Sequence, residues 1–163
     1  EKLKYAQLNI KKASEINEVN EGLNPCTVLD ERNDSSAENL TSVLTKFVDS
    51  QGRKYLFTGD AGIDSFESAK SHNFDIENLH ICQLPHHGSR RNMNTNWVCN
   101  FNPSQYWVSA NGSAKHPRKA LISCIKKNLP NCNTYSTHRG GKKHINSTQN
   151  LFPARNWGSA IPL

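Results

Sequence analysis

No stretch of this chain approaches the roughly 18 uninterrupted apolar residues that a membrane-spanning helix requires. The first twenty residues carry seven charges and no apolar block, so neither a span, nor a secretory signal, nor any contact with a membrane is expected. The five cysteines, Cys26, Cys82, Cys99, Cys124 and Cys132, form no Cys-x-x-Cys pair and no framework spacing. That argues against a structural zinc knuckle and against a disulfide-built secreted scaffold. The expectation is a reducing, cytoplasmic setting with the cysteines serving as small core residues. There is no internal repeat and no low-complexity segment either. What remains is a chain of 163 residues, 35% hydrophobic, the size of one domain. Its 20 Lys and Arg outnumber 14 Asp and Glu, a net charge of +6, which draws in phosphates or polyanions without fixing a fold.

Apolar residues at spacings of three and four, Leu3, Ala6, Ile10, Ala13 and Ile16, predict an amphipathic helix over residues 3–19 that ends before Gly22 and Asn24-Pro25. Residues 26–30 read as a short strand and 31–38 as an exposed polar loop. The strongest hairpin signal follows, with Thr, Val and Leu over 39–48, turn residues over 49–52, and a second strand over 54–58. Helices are expected over 63–71, 95–101 and 118–128. Strands are expected over 79–84, stopped by Pro85, and over 105–110 and 132–137. The tail from Ile145, with Pro153, Gly158 and Pro162, reads as irregular. Strands alternating with helices point to an α/β layered fold.

Three predicted strands end in a polar loop that holds an acid or a histidine: Thr58-Gly59-Asp60, Pro85-His86-His87-Gly88-Ser89, and Lys115-His116-Pro117. Each gap between them is about one strand-helix-strand unit, so parallel or mixed neighbouring strands would bring the three loops to one edge of the sheet. Asp60, His86 and His116 converging there would suit a divalent metal such as Zn²⁺ or Mn²⁺. Plainer readings stand beside this one. Gly59-Asp60 is also what a simple turn looks like, and His116 before Pro117 also suits the start of a helix. The pair His86-His87, following a buried strand, has no evident packing use. Arg90 and Arg91 directly follow that loop, where they could bind a substrate phosphate. His72, His80, His138 and His144 lie in polar surroundings and read as surface residues.

The ordered set Asn39-Leu40-Thr41-Ser42-Val43-Leu44, Tyr55-Leu56-Phe57-Thr58-Gly59-Asp60-Ala61, Leu84-Pro85-His86-His87-Gly88-Ser89, Val108-Ser109-Ala110 with Lys115-His116-Pro117, and Thr137 before Gly140 resembles the metallo-β-lactamase-fold hydrolases. The nearest branch is that of the hydrolase domain of the DNA-uptake competence protein ComEC. The resemblance covers about residues 23–141. It implies a four-layer αββα sandwich with a metal site at one edge of its two sheets. It also implies that Asp60 bridges two metal ions, that His86 ligates one, that His87 and Ser89 shape the catalytic pocket, and that His116 donates a proton to the leaving group.

The family's main metal motif, His-x-His-x-Asp-His, occurs nowhere in the chain, and no histidine precedes His72. Residues 1–144 therefore resemble the C-terminal half of the fold, followed by a tail over 145–163, and the expected partner is the missing first half. The implied activity is hydrolysis, most readily of a phosphodiester in nucleic acid or a nucleotide, by a hydroxide activated by zinc, with two divalent ions or manganese as variants. The rival is a basic polyanion-binding or partner-binding module on a degenerate form of the same fold.

Overall fold

A computed structural model describes residues 24–31, 36–110, 116–137 and 146–147. The helix expected over 3–19, His138 and His144 lie outside them. The hairpin forms as its turn chemistry dictates. Strands β1 (Thr45–Val48) and β2 (Lys54–Phe57) pair antiparallel, with Thr45 opposite Phe57 and Phe47 opposite Tyr55. The Asp49 carboxylate accepts the backbone N–H groups of Gln51 and Arg53, each at 2.9 Å, while Gly52 turns the chain at φ +75°. It also accepts Arg53 Nε at 2.6 Å and the Tyr55 hydroxyl at 3.0 Å. Desolvation alone would raise the Asp49 pKa, but these bonds outweigh it and hold the carboxyl at about 2.

From β2 onward every pairing is parallel, through β3 (Ile81–Gln83), β4 (Gln105–Val108), β5 (Asn133–Ser136) and β6 (Asn146–Ser147). The spatial order β1-β2-β3-β4-β5-β6 follows the chain. Helices α3 (Ile63–Ser71), α4 (Thr95–Phe101) and α5 (Lys119–Asn128) make the crossovers from β2 to β5. Because such crossovers are right-handed, strands added always in one direction place all of these helices on a single face.

The pleat then divides the sheet's side chains between two environments. On the helix-covered face Leu56, Cys82, Tyr106 and Val108 are buried with Phe66 of α3, Trp97, Val98 and Phe101 of α4, and Leu121, Ile122 and Ile125 of α5. Phe66, Trp97 and Phe101 meet ring to ring, with centroids 5.0 to 5.5 Å apart. On the opposite face Phe47 and Phe57 remain 57% and 42% exposed, and Tyr55, Trp107 and Tyr135 are half-buried. Ile81 is the buried member of that face.

Two expectations need correction. Residues 26–30 belong to a helix, α1 (Pro25–Asp30), not to a strand. Pro25 suits a first helical turn, where its missing N–H leaves nothing unpaired, and Leu29 is fully buried where α1 lies against α5. A short apolar run cannot be told from a buried helical turn by periodicity. The polar loop ends in a second helical turn, α2 (Ala37–Leu40), so the first hairpin strand begins at Thr45 and not at Asn39. Of the tail over 145–163 only residues 146–147 are described, and they form β6.

The cysteines also divide. Cys26 of α1 is bonded to Cys124 of α5, with Cα atoms 5.0 Å apart and the two residues 98 positions apart in sequence. Cys82 is buried as expected, Cys132 is partly covered and Cys99 is exposed. The bond removes the ground on which a reducing setting was expected, since such crosslinks persist in oxidising compartments. Its long separation is why spacing gave no hint of it. No described helix is long and apolar enough to cross a membrane.

Candidate active site at the carboxyl edge of the sheet

Parallel strands all end at the same edge, and in open α/β sheets that edge is where ligands bind. At the end of β2 the buried Thr58 hydroxyl donates to the Gln83 carbonyl, 2.9 Å away, joining the ends of β2 and β3. Gly59 follows at φ +52°. A Cβ there would stand 2.9 Å from Ser42 Oγ, so both the conformation and the space call for glycine. Its carbonyl accepts the His86 N–H at 3.0 Å. The Asp60 N–H donates to Ser42 Oγ at 2.9 Å, and Asn92, fully buried, donates its amide to the Asp60 carbonyl at 3.1 Å. The half-buried Asp60 carboxylate thus sits on a turn whose main chain is pinned from three sides.

After β3, three consecutive residues are left-handed: His86 at φ +45°, His87 at +57° and Gly88 at +81°. Among the described residues the other non-glycine positions with positive φ are Asn73, Asn78 and Asn102, and asparagine and histidine both enter this region more readily than most residue types. Two histidines held there signal backbone strain of the kind that clusters at functional sites. The loop is held by its contact with the next one. A Cβ on Gly88 would lie 2.6 Å from Pro117 Cβ, and the Gly88 carbonyl accepts the Arg118 N–H at 2.9 Å. This docking brings the rings of His86 and His116 to 5.7 Å. The Thr137 hydroxyl, beyond β5, donates to the Ala110 carbonyl at 3.3 Å and lies 3.2 Å from the Ala110 N–H, tying the ends of β4 and β5.

His87, exposed, has Nδ1 at 2.5 Å from the Ser109 carbonyl. A carbonyl only accepts, so Nδ1 carries the proton and the neutral ring keeps its lone pair on Nε2. The rings of His86 and His87 are 6.1 Å apart. His86 Nδ1 lies 3.2 Å from the Asn39 amide nitrogen. Ser89 is buried, and its hydroxyl accepts the Arg91 N–H at 3.2 Å, closing the loop. Arg91 itself is exposed and Arg90 half-buried.

Asp60, His86, His87 and His116 therefore stand on loops at one edge of the sheet, with Ser89, Arg90 and Arg91 on the same loop as the histidine pair. Sequence reasoning missed the supporting residues Asn39, Ser42 and Asn92. Asn39 and Ser42 stood within a recognised motif, yet no local pattern tells a buried Asn from a surface one. A carboxylate and an imidazole are donors that suit Zn²⁺ or Mn²⁺. Among the described residues no group of three or more His, Cys, Asp or Glu is placed to hold a metal ion. Comparison with protein-family models, with curated proteins and with solved structures finds no match.

Proposed function

We propose that this chain is the C-terminal half of a metallo-β-lactamase-type hydrolase that cleaves a phosphodiester of nucleic acid or a nucleotide. The observation that carries this reading is the convergence at one sheet edge of the braced Gly59-Asp60 turn, the left-handed His86-His87 loop and His116, with two of the rings 5.7 Å apart. The open sheet face supports it as well. One sheet with helices on one side is half of an αββα sandwich, and Phe47, Phe57, Tyr55 and Trp107 offer the apolar surface against which a second sheet would pack.

Asp60 and His86 would hold a divalent ion, with the remaining ligands coming from the first half of the fold. The ion, when bound, supplies hydroxide near neutral pH and charge neutralisation for the phosphoryl oxygens. Arg90 and Arg91 would hold the phosphate by charge-assisted hydrogen bonds. His116 delivers a proton to the departing oxygen, and the buried contacts of Gly88 with Pro117 set its distance from His86. In the full-length hydrolase, Asp60→Ala and His86→Ala are expected to lower zinc content and activity together. His116→Ala should keep its zinc yet lose about 10²–10⁴ in rate, the range for a general acid. That loss should shrink on a nitrophenyl ester, whose leaving group needs no proton. Full activity of His116→Ala on an alkyl phosphodiester would reject the proton-donor role. Absence of zinc binding by the full-length protein would reject the hydrolase in favour of the polyanion-binding module.

A further inference from the structure

We propose that Asn39 is a positioning residue that selects which nitrogen of His86 carries the proton. Asn39 is a polar side chain only 9% exposed, set in a four-residue helical turn and meeting a ring 47 residues away in sequence at 3.2 Å. An amide can face an imidazole nitrogen in two ways with opposite consequences. With its NH₂ toward Nδ1, as the structure has it, Nδ1 must accept, so the neutral ring carries its proton on Nε2. With its C=O toward Nδ1, that nitrogen must carry the proton, and the lone pair moves to Nε2.

A cation taken at Nε2 needs the second arrangement, because a protonated nitrogen has no lone pair to give. Turning the Asn39 amide over supplies it. The proton leaves Nε2 to solvent and another is taken up at Nδ1, so none is gained or lost in total. A carboxylate at position 39 would lock the ring in the metal-ready form, and an amide permits both. Residue 39 thus acts on the site through His86, as groups bonded to the far nitrogen of a ligand histidine do. The same turn reaches Asp60 through Ser42, so one short segment braces both candidate ligands. The consequence for a cation rests on the proposed reading of His86 as a ligand; the tautomer selection does not.

The test is the long-range ¹H–¹⁵N correlation of ¹⁵N-histidine in the full chain, above the histidine titration range, with His86→Gln to assign the signals. The wild type is expected to show His86 protonated at Nε2, and Asn39→Asp to show it at Nδ1, with His87 unchanged. Asn39→Ala, which takes the amide away from Nδ1, should lower the share of the Nε2-protonated form, and it decides the matter if the buried carboxylate prevents folding. A His86 pattern that is the same in wild type and in the variant that folds would overturn the proposal. Added Zn²⁺ should move wild-type His86 to the Nδ1-protonated form. If zinc does not bind the wild type while Asn39→Asp still switches the tautomer, the metal reading fails and the tautomer selection by Asn39 stands.

Discussion

The two faces of the sheet are built from the same strands and could hardly differ more. Leu56 is 1% exposed and Tyr106 is fully buried, while on neighbouring residues of the same strands Phe57 is 42% exposed and Trp107 is half-buried. Composition does not explain this, because both faces carry large apolar and aromatic side chains. Topology does. Strand order that follows chain order puts α3, α4 and α5 on one side, and aromatic residues at alternate positions on the other side prepare a surface that those helices cannot reach. A parallel sheet is ordinarily covered on both faces; among the described residues the crossover helices pack on one face of this sheet.

The sharpest way to break this comparison is to delete one aromatic from each side. Trp97→Ala, in the covered core, should cost about 3–5 kcal/mol, whereas Phe47→Ala should change stability by no more than about 0.5 kcal/mol. Urea unfolding of the two variants measures both. Comparable losses would mean that the open face is as fully packed as the covered one.

Next in size is the crosslink within the covered layer. Cys26→Ser combined with Cys124→Ser should lose about 2–4 kcal/mol, since the bond closes a loop of nearly the whole described chain and limits the unfolded ensemble. A thermal melt with and without reductant gives the same comparison in the wild type. A reductant-insensitive melt would show that these two residues are not bonded in solution.

The smallest effect lies in the hairpin turn beside the open face. Asp49 has its pKa lowered from 3.8 to about 2, so its contribution is present above the ordinary carboxylate value and is lost as pH falls through about 2. The turn is open to solvent, and the effect is correspondingly weak. Amide exchange of Gln51 and Arg53, whose N–H groups the carboxylate accepts, followed as the pH is lowered, should show their protection persisting below pH 3.8 in the wild type. In Asp49→Asn protection should be lower throughout and without that acid dependence. Identical profiles would remove the carboxylate from the account of the turn.

Where local chemistry and tertiary context agreed, the sequence could be read. The hairpin was legible because Asp49 and Gly52 are turn residues between β-rich runs. The helix at Ile63–Ser71 and the one at Thr95–Phe101 were legible from apolar spacing. Pro85, which cannot continue a strand, marked the loop that carries the two histidines. Asp60, His86 and His116 were singled out because each follows a strand, and parallel pairing then brought them to one edge as that spacing anticipates. The helix at Pro25–Asp30 was misread because five apolar-rich residues satisfy either period, and burial of Leu29 against α5 made the choice.

By itself, then, the sequence determined the α/β class, the run of strands and crossovers, and the residues capable of chemistry, because these follow from periodicity, turn residues and side-chain type within a few neighbouring positions. Only the tertiary structure decided that Cys26 meets Cys124, that Gly88 closes on Pro117, and that Asn39 and Ser42 reach His86 and Asp60. Those contacts join residues 18 to 98 positions apart. Their distances depend on how whole strands and helices are stacked, and no local pattern records that.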